Sequence, residues 1–353
     1  MGDDDELHSV PAMRGDAARK ILSVVALAIG LLGHAPPARA ATVFKIGTLA
    51  PGDSPWGKEF KRLAADISGD TNGELELDFQ WNGQAGDEVL MVQKIRAGQL
   101  DAAAITALGL AQTGVTDVLL FQLPGLFTTW AKLDAARETL KAEFDHMFEA
   151  KGFTVLGWGD VGAAKTMTAG FEVHHPVDLK GKGVFFLPGD PIGPRVYSAI
   201  GGITPHSLGV AEILPALSNG SVNEVVAPAL VAEQLQWASR ITHINTETLA
   251  FAIGAVIAST PRVQALPPKL KEVMARRGRE SSERLTRLVR NLDAQAFARM
   301  KAKKTAYANS EAERAEWRDL FVHVCRQLRG TVFSAEMFDK VVRLADNPMV
   351  PKD

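Results

Sequence analysis

Apolar runs with strand character alternate with amphipathic runs with helical character in the first part of the chain. The order is VFKIGTLA, EFKRLAADISGD, LELDFQW, EVLMVQKIRAG and LDAAAIT, in which the second and fourth runs are the helical ones. This alternation predicts an α/β lobe built on a largely parallel sheet. Ligands of such sheets bind beyond the carboxyl ends of the strands. The loop of residues 51–55, between the first strand and the first helix, is therefore a candidate wall of a binding site.

A second series of the same kind begins at FTVLGWGD. It continues through GKGVFFLP, a helix near Pro194 to Ile200, GGITPHS, a helix near Val210 to Leu217, and VNEVVAPA, which together predict a second α/β lobe. Two further strand-like runs, ITHINTE and AFAIGAVIAS, indicate that the chain crosses back between the lobes. Two crossings make a hinge, and we expect it at the segments near residues 162 and 249.

The chain from Pro261 onward has apolar residues at a spacing of three to four, which predicts long C-terminal helices. The length of 353 residues exceeds what one hydrophobic core usually supports. We therefore predict a lobe I of residues 41–162 plus 250–290. Lobe II is expected to comprise residues 163–249 plus 291–353.

Residues 1–40 have the pattern of a leader followed by a secretory signal peptide. Basic residues precede the apolar run Ile21 to Leu32, and small residues follow it, which predicts cleavage after about Ala40. The apolar run is shorter than the roughly 20 residues needed to span a bilayer, although an uncleaved anchor is the alternative. The acidic segment before Met13 fits poorly ahead of a signal peptide, so Met13 is the expected start. We expect a soluble, exported protein of the periplasm.

Charge and cysteine content exclude several classes of function. Beyond residue 40 the chain has 35 basic and 36 acidic residues, so it offers no general attraction to nucleic acid or to an acidic membrane. Cys325 is the single cysteine, which excludes an internal disulfide, a thiolate zinc cluster and an iron–sulfur site. It lies in the amphipathic run EWRDLFVHVCRQL, where we expect it to be buried in a helix.

The sequence also lacks the short patterns that mark common catalytic sites. It contains no G-x-S-x-G, no H-E-x-x-H and no glycine-rich phosphate loop followed by Lys and Ser or Thr. His174 and His175 form the only histidine pair, and adjacent residues on an extended segment point apart, which disfavours a shared metal. We therefore predict a protein that is not an enzyme and has no catalytic residues, no metal and no cofactor.

Six segments, in a specific order and spacing, resemble the solute-binding subunit of TRAP transporters, the DctP-like family, over nearly the whole chain beyond residue 40. They are IGTLAPGDSPWGKEF, TNGELELDFQWNGQAGDEVLMVQKIRAGQLDAA, LFQLPGLF, EAKGFTVLGWGDVG, PVDLKGKGV and ALSNGSVNEVVAP. The resemblance implies the two-lobe periplasmic binding protein fold, with hinge-crossing segments and a long hinge-spanning helix. It also implies a receptor that closes on a small organic solute and delivers it to membrane permease subunits.

The segments that would hold an organic acid in this family are apolar here. The resemblance implies an arginine in a segment like K-I-R-V-P, which puts Phe186 at the arginine, and an asparagine in a segment like D-G-Q-E-N-P, which becomes Ala227. A further arginine falls on Ala164, or on Lys165 if the alignment slips by one. Because an arginine fork holds a carboxylate through two parallel hydrogen bonds, these replacements predict a mainly apolar or neutral ligand.

We predict a cleft of aromatic and small apolar residues with a few polar groups that set orientation. The expected ligand-binding residues are Trp56, Gln84, Thr106, Trp158, Lys165, Phe185, Phe186, Val226, Ala227 and Trp237. Only one of the two phenylalanines is expected in the cleft, because neighbouring strand residues face opposite sides. For the tryptophans the alternative is core or cap packing, for Gln84 a turn, and for Lys165 a surface lysine. Asp160 and Asp190 either face the cleft or cap a helix.

These observations predict an extracytoplasmic receptor of a TRAP-type secondary transporter, with the permease subunits as its partner. One alternative is a periplasmic carrier of lipid or other hydrophobic molecules that works with a non-TRAP partner, such as a periplasmic helical-repeat protein. A sensory module that presents its ligand to a membrane kinase is a third reading. A nucleic-acid partner is not expected, since acidic residues interrupt the basic C-terminal run and no aromatic residues are interleaved for base stacking.

Overall fold

The computed structural model describes residues 41–347, so the predicted leader, signal peptide and cleavage site lie outside the described residues. The strands are β1 (Thr42–Thr48), β2 (Leu75–Gln80), β3 (Ala102–Thr106), β4 (Phe153–Thr168), β5 (Phe185–Phe186), β6 (His206–Ser207), β7 (Glu224–Pro228), β8 (His243–Asn245), β9 (Ala250–Ser259) and β10 (Thr305–Tyr307). The helices are α1 (Pro55–Asp70), α2 (Glu88–Arg96), α3 (Ala107–Ala111), α4 (Trp130–Ala150), α5 (Gly193–Ile200), α6 (Val210–Asn219), α7 (Ala229–Gln234), α8 (Thr260–Gln264), α9 (Pro268–Lys303), α10 (Glu311–Leu328) and α11 (Ala335–Ala345).

The predicted α/β class and the long C-terminal helices are confirmed. The helices predicted near Pro194 and Val210 are α5 and α6, and the helical C-terminal part forms α8 to α11. The strand-like run GKGVFFLP shortens to the two residues of β5. Gly183 packs against the backbone of residue 221, and Pro188, which has no N–H to donate, stands just before the positive-φ Gly189.

Eight strands form one mixed sheet in the order β10-β8-β4-β9-β3-β1-β2, with β7 also paired to β4. Only β1 with β2, β1 with β3, and β8 with β10 are parallel in it. The sequence predicts two lobes with largely parallel sheets, and the structure instead joins the two series through the long antiparallel pair β4 and β9. These are the strands in which the sequence places the crossings between lobes.

The two faces of the β1, β3 and β9 region are covered by different helices. On one face α1 and α9 pack over β1, β3 and β4, in a core cluster that includes Phe44, Ile46 and Leu285. On the other face α4 packs over β4, and α11 packs against α4, in a core cluster that includes Phe144, Ile257 and Phe338. Cys325 is buried in α10, as predicted.

The 36-residue helix α9 crosses the structure beside β4 and is anchored there by buried charges. Asp293 of α9 accepts hydrogen bonds from the backbone N–H groups of Ala163 and Leu230.

None of the helices within residues 41–347 is long and apolar enough to cross a membrane.

Candidate functional site

A cavity of about 630 Å³ opens at the carboxyl ends of β1 and β3 and is walled on its other sides by β4, β5, β7 and β9. Helices α1, α5, α9 and α10 complete its wall. Its position agrees with the general rule that ligands of α/β sheets bind beyond the carboxyl ends of the strands. The wall also includes Pro51 and Trp56, which places the predicted loop after β1 at the site.

Both predicted phenylalanines, Phe185 and Phe186, line the cavity. They form the two-residue strand β5, which pairs in parallel with β6, and both rings are half-buried. The sequence predicts that only one of them faces the cleft. The structure places both in the wall. Strand β5 is only two residues long, pairs with β6 in a separate two-stranded sheet, and is followed at once by a turn in which Asp190 N–H donates to Leu187 O.

Val226 and Ala227 of β7 also line the cavity. Val226 is 38% exposed, whereas Ala227 is buried and lies opposite Lys165 in the ladder between β4 and β7. These two segments are the ones in which the resemblance implies an arginine and an asparagine. In this chain the arginine position is Phe186 and the asparagine position is Ala227, and the one charged side chain that these two segments contribute to the wall is the carboxylate of Glu224.

Trp56, Thr106 and Trp237 are the other predicted residues that lie in the wall. Trp56 Nε1 donates to Asp160 O over 3.4 Å, and Trp237 is almost fully buried at the start of a 3₁₀ turn. The Thr106 hydroxyl and backbone N–H both donate to the Glu88 carboxylate, at 2.6 and 2.7 Å. The hydroxyl proton is thereby used inside the protein, and Thr106 offers a ligand only an acceptor.

Three predicted residues lie outside this cavity wall: Gln84, Trp158 and Lys165. Gln84 is exposed in a turn. Trp158 faces the opposite side of the sheet, where its Nε1 donates to Asp145 Oδ1 and its ring packs on Phe144. The residues on either side of Trp158 and of Lys165 in β4 line the cavity, as the alternation of side chains along a strand requires.

Lys165 is buried beside the cavity rather than in its wall. Its Nζ donates to Thr246 O at 3.0 Å and to Thr248 Oγ1 at 3.2 Å, and it lies 4.2 Å from the centre of the Phe297 ring. Burial lowers the pKa of Lys165 to about 8. Its neighbour Ala164, the other position on which the family's second arginine falls, does line the cavity.

The charged groups of the described wall are five carboxylates and two guanidinium groups, and most were not predicted from the sequence. They are Glu88, Asp160, Asp190, Glu224, Glu247, Arg314 and Arg318. The two arginines are four residues apart on α10 and share that helix face with two other wall residues, Trp317 and Phe321. This i, i+3, i+4, i+7 pattern was readable in the sequence, but nothing in it connected α10 with a distant cleft.

Each of these charges already has a partner within the protein. Arg314 pairs with Glu247 at 2.9 Å and with Glu311 at 2.9 Å, and Arg318 pairs with Glu311 at 3.1 Å. Asp160 lines the cavity, as one of its two expected roles, and its carboxylate pairs with Arg137 and Arg290.

The remaining carboxylates of the wall are held by backbone or hydroxyl groups. Asp190 accepts from the N–H groups of Ile192 and Gly193, and burial raises its pKa. Burial raises the pKa of Glu224 to about 7, and the Tyr197 hydroxyl lies 3.3 Å from its Oε2. Within residues 41–347 no group of three or more His, Cys, Asp or Glu side chains is arranged to hold a metal ion.

Comparison with known proteins gives a consistent result. Residues 46–330 match the model of the family described as bacterial extracellular solute-binding protein, family 7, or DctP. The chain is 23% identical over 319 residues to the C4-dicarboxylate-binding periplasmic protein DctP of Rhodobacter capsulatus, covering 87% of this chain and 92% of that protein. It is 26% identical over 202 residues to an uncharacterized protein of Sinorhizobium fredii, a match that spans 37% of that relative's length and 57% of this chain.

Solved structures of similar shape are periplasmic solute-binding proteins. A TRAP periplasmic solute-binding protein from Ralstonia eutropha with bound (S)-2-acetolactate superposes with a TM-score of 0.79 at 21% identity, over 86% of this chain and 98% of that one. One from Sulfurospirillum deleyianum with bound succinate gives a TM-score of 0.76 at 18% identity, over 85% and 97%. The predicted two-lobe fold class is confirmed by these matches, and both of these solved structures are of solute-binding proteins.

Proposed function

Because the chain belongs to family 7 of the bacterial extracellular solute-binding proteins, we propose that it closes its two lobes on a mainly apolar or neutral organic solute and passes it to a TRAP-type permease. Family membership makes the chain a TRAP-type extracytoplasmic solute receptor and not an enzyme. One observation carries the proposal for the solute. Phe185, Phe186, Val226 and Ala227 form part of the cavity wall at the two segments where the resemblance implies a carboxylate clamp.

The electrostatics of the wall support a solute without a carboxylate. Carboxylates outnumber guanidinium groups there, and both guanidinium groups are engaged by Glu247 and Glu311. A bound carboxylate would lose its hydration without gaining an unpaired cation from the described wall, and a buried charge is costly unless it is paired. An apolar solute instead gains about 25 cal/mol for each Å² of surface that it buries.

The solutes of the similar proteins differ from this proposal. The Ralstonia and Sulfurospirillum receptors hold acetolactate and succinate, which are organic acids. At 21% and 18% identity these receptors share the fold with this chain, and the residues that contact the solute are free to differ. We therefore infer the solute class from the wall of this cavity, and not from the solutes of the related receptors.

Two features support closure about the β4 and β9 strands. Gly162 of β4 lies at a bulge with φ of +138°, a conformation that favours glycine, and an added Cβ would lie 2.6 Å from Pro228 Cβ. Gln112 Nε2 also donates to Gly189 O over 3.3 Å, which joins the end of α3 to the loop after β5. Closure would rotate the lobes about the segments near Gly162 and Leu249, at which the sequence predicts the hinge.

The direct test of the solute class is mass spectrometry of the organic molecules that co-purify with the protein after gentle extraction. We expect an aliphatic, sterol-like or aromatic neutral molecule. The variant Phe186→Arg, purified in parallel, should lose that molecule because it puts a charge into the apolar wall. A small dianion as the dominant bound species would refute the proposal.

The partner is proposed on the same family basis. A periplasmic carrier with a non-TRAP partner, such as a helical-repeat protein, would use the same apolar cavity. Co-purification of the detergent-solubilised permease subunits with the receptor would support the TRAP-type partner. Stable capture of a helical-repeat protein instead, with no permease, would favour the carrier.

A further inference from the structure

We propose that the cavity contains a second, apolar compartment beneath α1 and α9 that binds the hydrocarbon chain of the solute. The inference rests on the proposed function, and it narrows the solute to an amphipathic molecule with a neutral polar end and an alkyl chain. The polar end would lie at the strand ends near Thr48, Thr106 and Asn245, and the chain would lie over the sheet.

The first support is the extent of the cavity wall along α1. Trp56, Phe60, Leu63 and Ile67 all line it, at spacings of four, three and four residues, which is one face of a helix. With a rise of 1.5 Å per residue, this face is about 17 Å long. The accessible wall therefore continues past Trp56 to Phe60 and Leu63, which are 6% and 5% exposed, and Ile67, at 1%, closes the far end.

The floor of the compartment is the sheet face that α1 and α9 cover. Ala104 of β3 lies opposite Val256 of β9 in the ladder, and both side chains line the cavity. Val256 sits on a central strand, on a face covered by helices, and yet it is only partly buried. Space next to a central strand under a helical layer is unusual, because protein interiors are close-packed.

Small residues on this face create the space. Gly159 of β4 lines the cavity, and a Cβ added there would meet only Leu285 Cδ2, at 4.0 Å. Gly157, two residues away on the same face, is different, because an added Cβ would lie 1.9 Å from Ser282 Oγ. The helix α9 thus touches the strand at Gly157 and leaves room at Gly159.

The roof of the compartment is held in place by ion pairs as well as by apolar packing between α1 and α9. Glu59 of α1 accepts a hydrogen bond from Ser281 and pairs with Arg284 of α9 at 2.8 Å. At the far end of α1, Asp70 pairs with Arg276 at 2.6 Å and with Arg277 at 2.8 Å. These bridges fasten the two helices to each other, so the wall residues below them need not close the space.

The chemistry of the compartment selects hydrocarbon. Its accessible wall is formed by Leu63, Ala104, Leu156, Val256 and Leu285, with the fully buried Phe44, Ile46 and Met274 packed around them. None of these side chains can hydrogen-bond, except weakly through the Met274 sulfur. The hydroxyl of Ser281, which also lines it, already donates to Glu59. A hydroxylated or charged group placed there would lose its water without replacement, whereas an alkyl chain loses nothing by leaving water.

The test is a homologous series of neutral 1-alkanols, from butanol to dodecanol, titrated into the purified protein by calorimetry. We expect the Kd to fall about fourfold for each added methylene until the compartment is full, and then to level off. The variant Gly159→Leu fills the compartment, so it should weaken binding of the longer alkanols at least tenfold and leave butanol unchanged. Ala65→Leu, on the exposed side of α1, is the matched control and should bind like the unaltered protein.

The outcomes separate this inference from the proposed function. Alkanol binding that does not depend on chain length would overturn the compartment and leave a neutral-solute receptor intact. Absence of alkanol binding together with tight binding of succinate would overturn both. If Gly159→Leu does not fold, the chain-length series on the unaltered protein decides alone, and a flat series rejects the compartment.

Discussion

Arg290 Nε of α9 donates to Asp160 Oδ2 of β4 over 2.6 Å, and the carboxylate of Asp160 is completely buried. Arg137 of α4 binds the other oxygen of the same carboxylate at 2.7 Å. One aspartate at the cavity wall thus joins helices from the two opposite faces of the sheet. Trp56 of α1 contacts the same residue through the backbone oxygen of Asp160.

Asp160→Asn is expected to destabilise the protein by about 3 kcal/mol, because it leaves two partly buried guanidinium groups without their common carboxylate. Asp134, which also pairs with both arginines, limits the loss. Urea unfolding measures the change. The control is Asp53→Asn, whose carboxylate is almost fully exposed in a pair with Lys61 and should contribute less than about 0.5 kcal/mol. Equal effects of the two substitutions would contradict the structural role of Asp160.

Because Lys165 is buried, the free energy of unfolding is expected to change with pH in the alkaline range. Burial lowers its pKa from 10.5 to about 8 in the folded protein, so between these values the unfolded chain binds more protons than the folded one. The contribution of Lys165 to stability is therefore full above pH 10.5 and is lost as the pH falls through 8. Relative to Lys165→Met, the unaltered protein should gain up to roughly 3 kcal/mol as the pH rises from 8 to 10.5.

The measurement is the free energy of unfolding of both proteins across that pH range. Taking the difference between the two removes the titration of the other lysines and tyrosines. A difference that stays constant with pH would show that the ammonium group is not buried as the structure places it.

Because Glu224 is also buried, its contribution to the free energy of unfolding is expected to fall as the pH rises through a lower range. Burial raises its pKa from 4.5 to about 7, so between these values the folded protein binds more protons than the unfolded chain. Its contribution is complete below pH 4.5 and is lost as the pH rises through 7. Relative to Glu224→Gln, which keeps an acceptor near Tyr197, the unaltered protein should lose up to roughly 3 kcal/mol between pH 4.5 and 7. Thermal unfolding followed by circular dichroism measures it, and parallel pH profiles would contradict the expectation.

Phe186→Ala is expected to weaken binding of 1-octanol at least about tenfold, because the wall loses an aromatic side chain whose burial contributes on the order of 1.5–3 kcal/mol. Fluorescence or calorimetric titration gives the two dissociation constants. Phe171→Ala serves as the control, since Phe171 is also partly buried but lies outside the cavity wall. Equal losses for both variants would indicate a general effect on folding and not a contact with the solute.

The sequence predicts the elements well where their periodicity is local. The alternating runs correspond to β1, α1, β2, α2 and β3, and the apolar spacing beyond Pro261 corresponds to the C-terminal helices. The joining of both series into one sheet was not predictable, because strand pairing over large separations leaves no local pattern. Arg314 was not predicted at the site for the same reason, because it lies more than 60 residues beyond Trp237, the last predicted wall residue.

Which side chains of β4 face the cavity was equally hard to predict. The strand has register shifts between Val155 and Gly157 and between Asp160 and Gly162, and each shift changes the face to which later residues point. Alternation holds around Trp158 and around Lys165, but the shift between Asp160 and Gly162 means that counting along β4 from Trp158 does not give the face of Lys165. β7 has no such shift in its ladder with β4, yet both Val226 and Ala227 reach the wall from it.

The most direct test of an apolar site without a carboxylate clamp is the melting temperature of the protein in millimolar succinate, compared with the same concentration of a neutral alkanol. A ligand at 100 times its Kd adds about 2.7 kcal/mol to stability, which is a readily measured shift for a protein of this size. We expect no shift with succinate and a clear increase with octanol. A large stabilisation by succinate, with none by octanol, would contradict the proposed solute class.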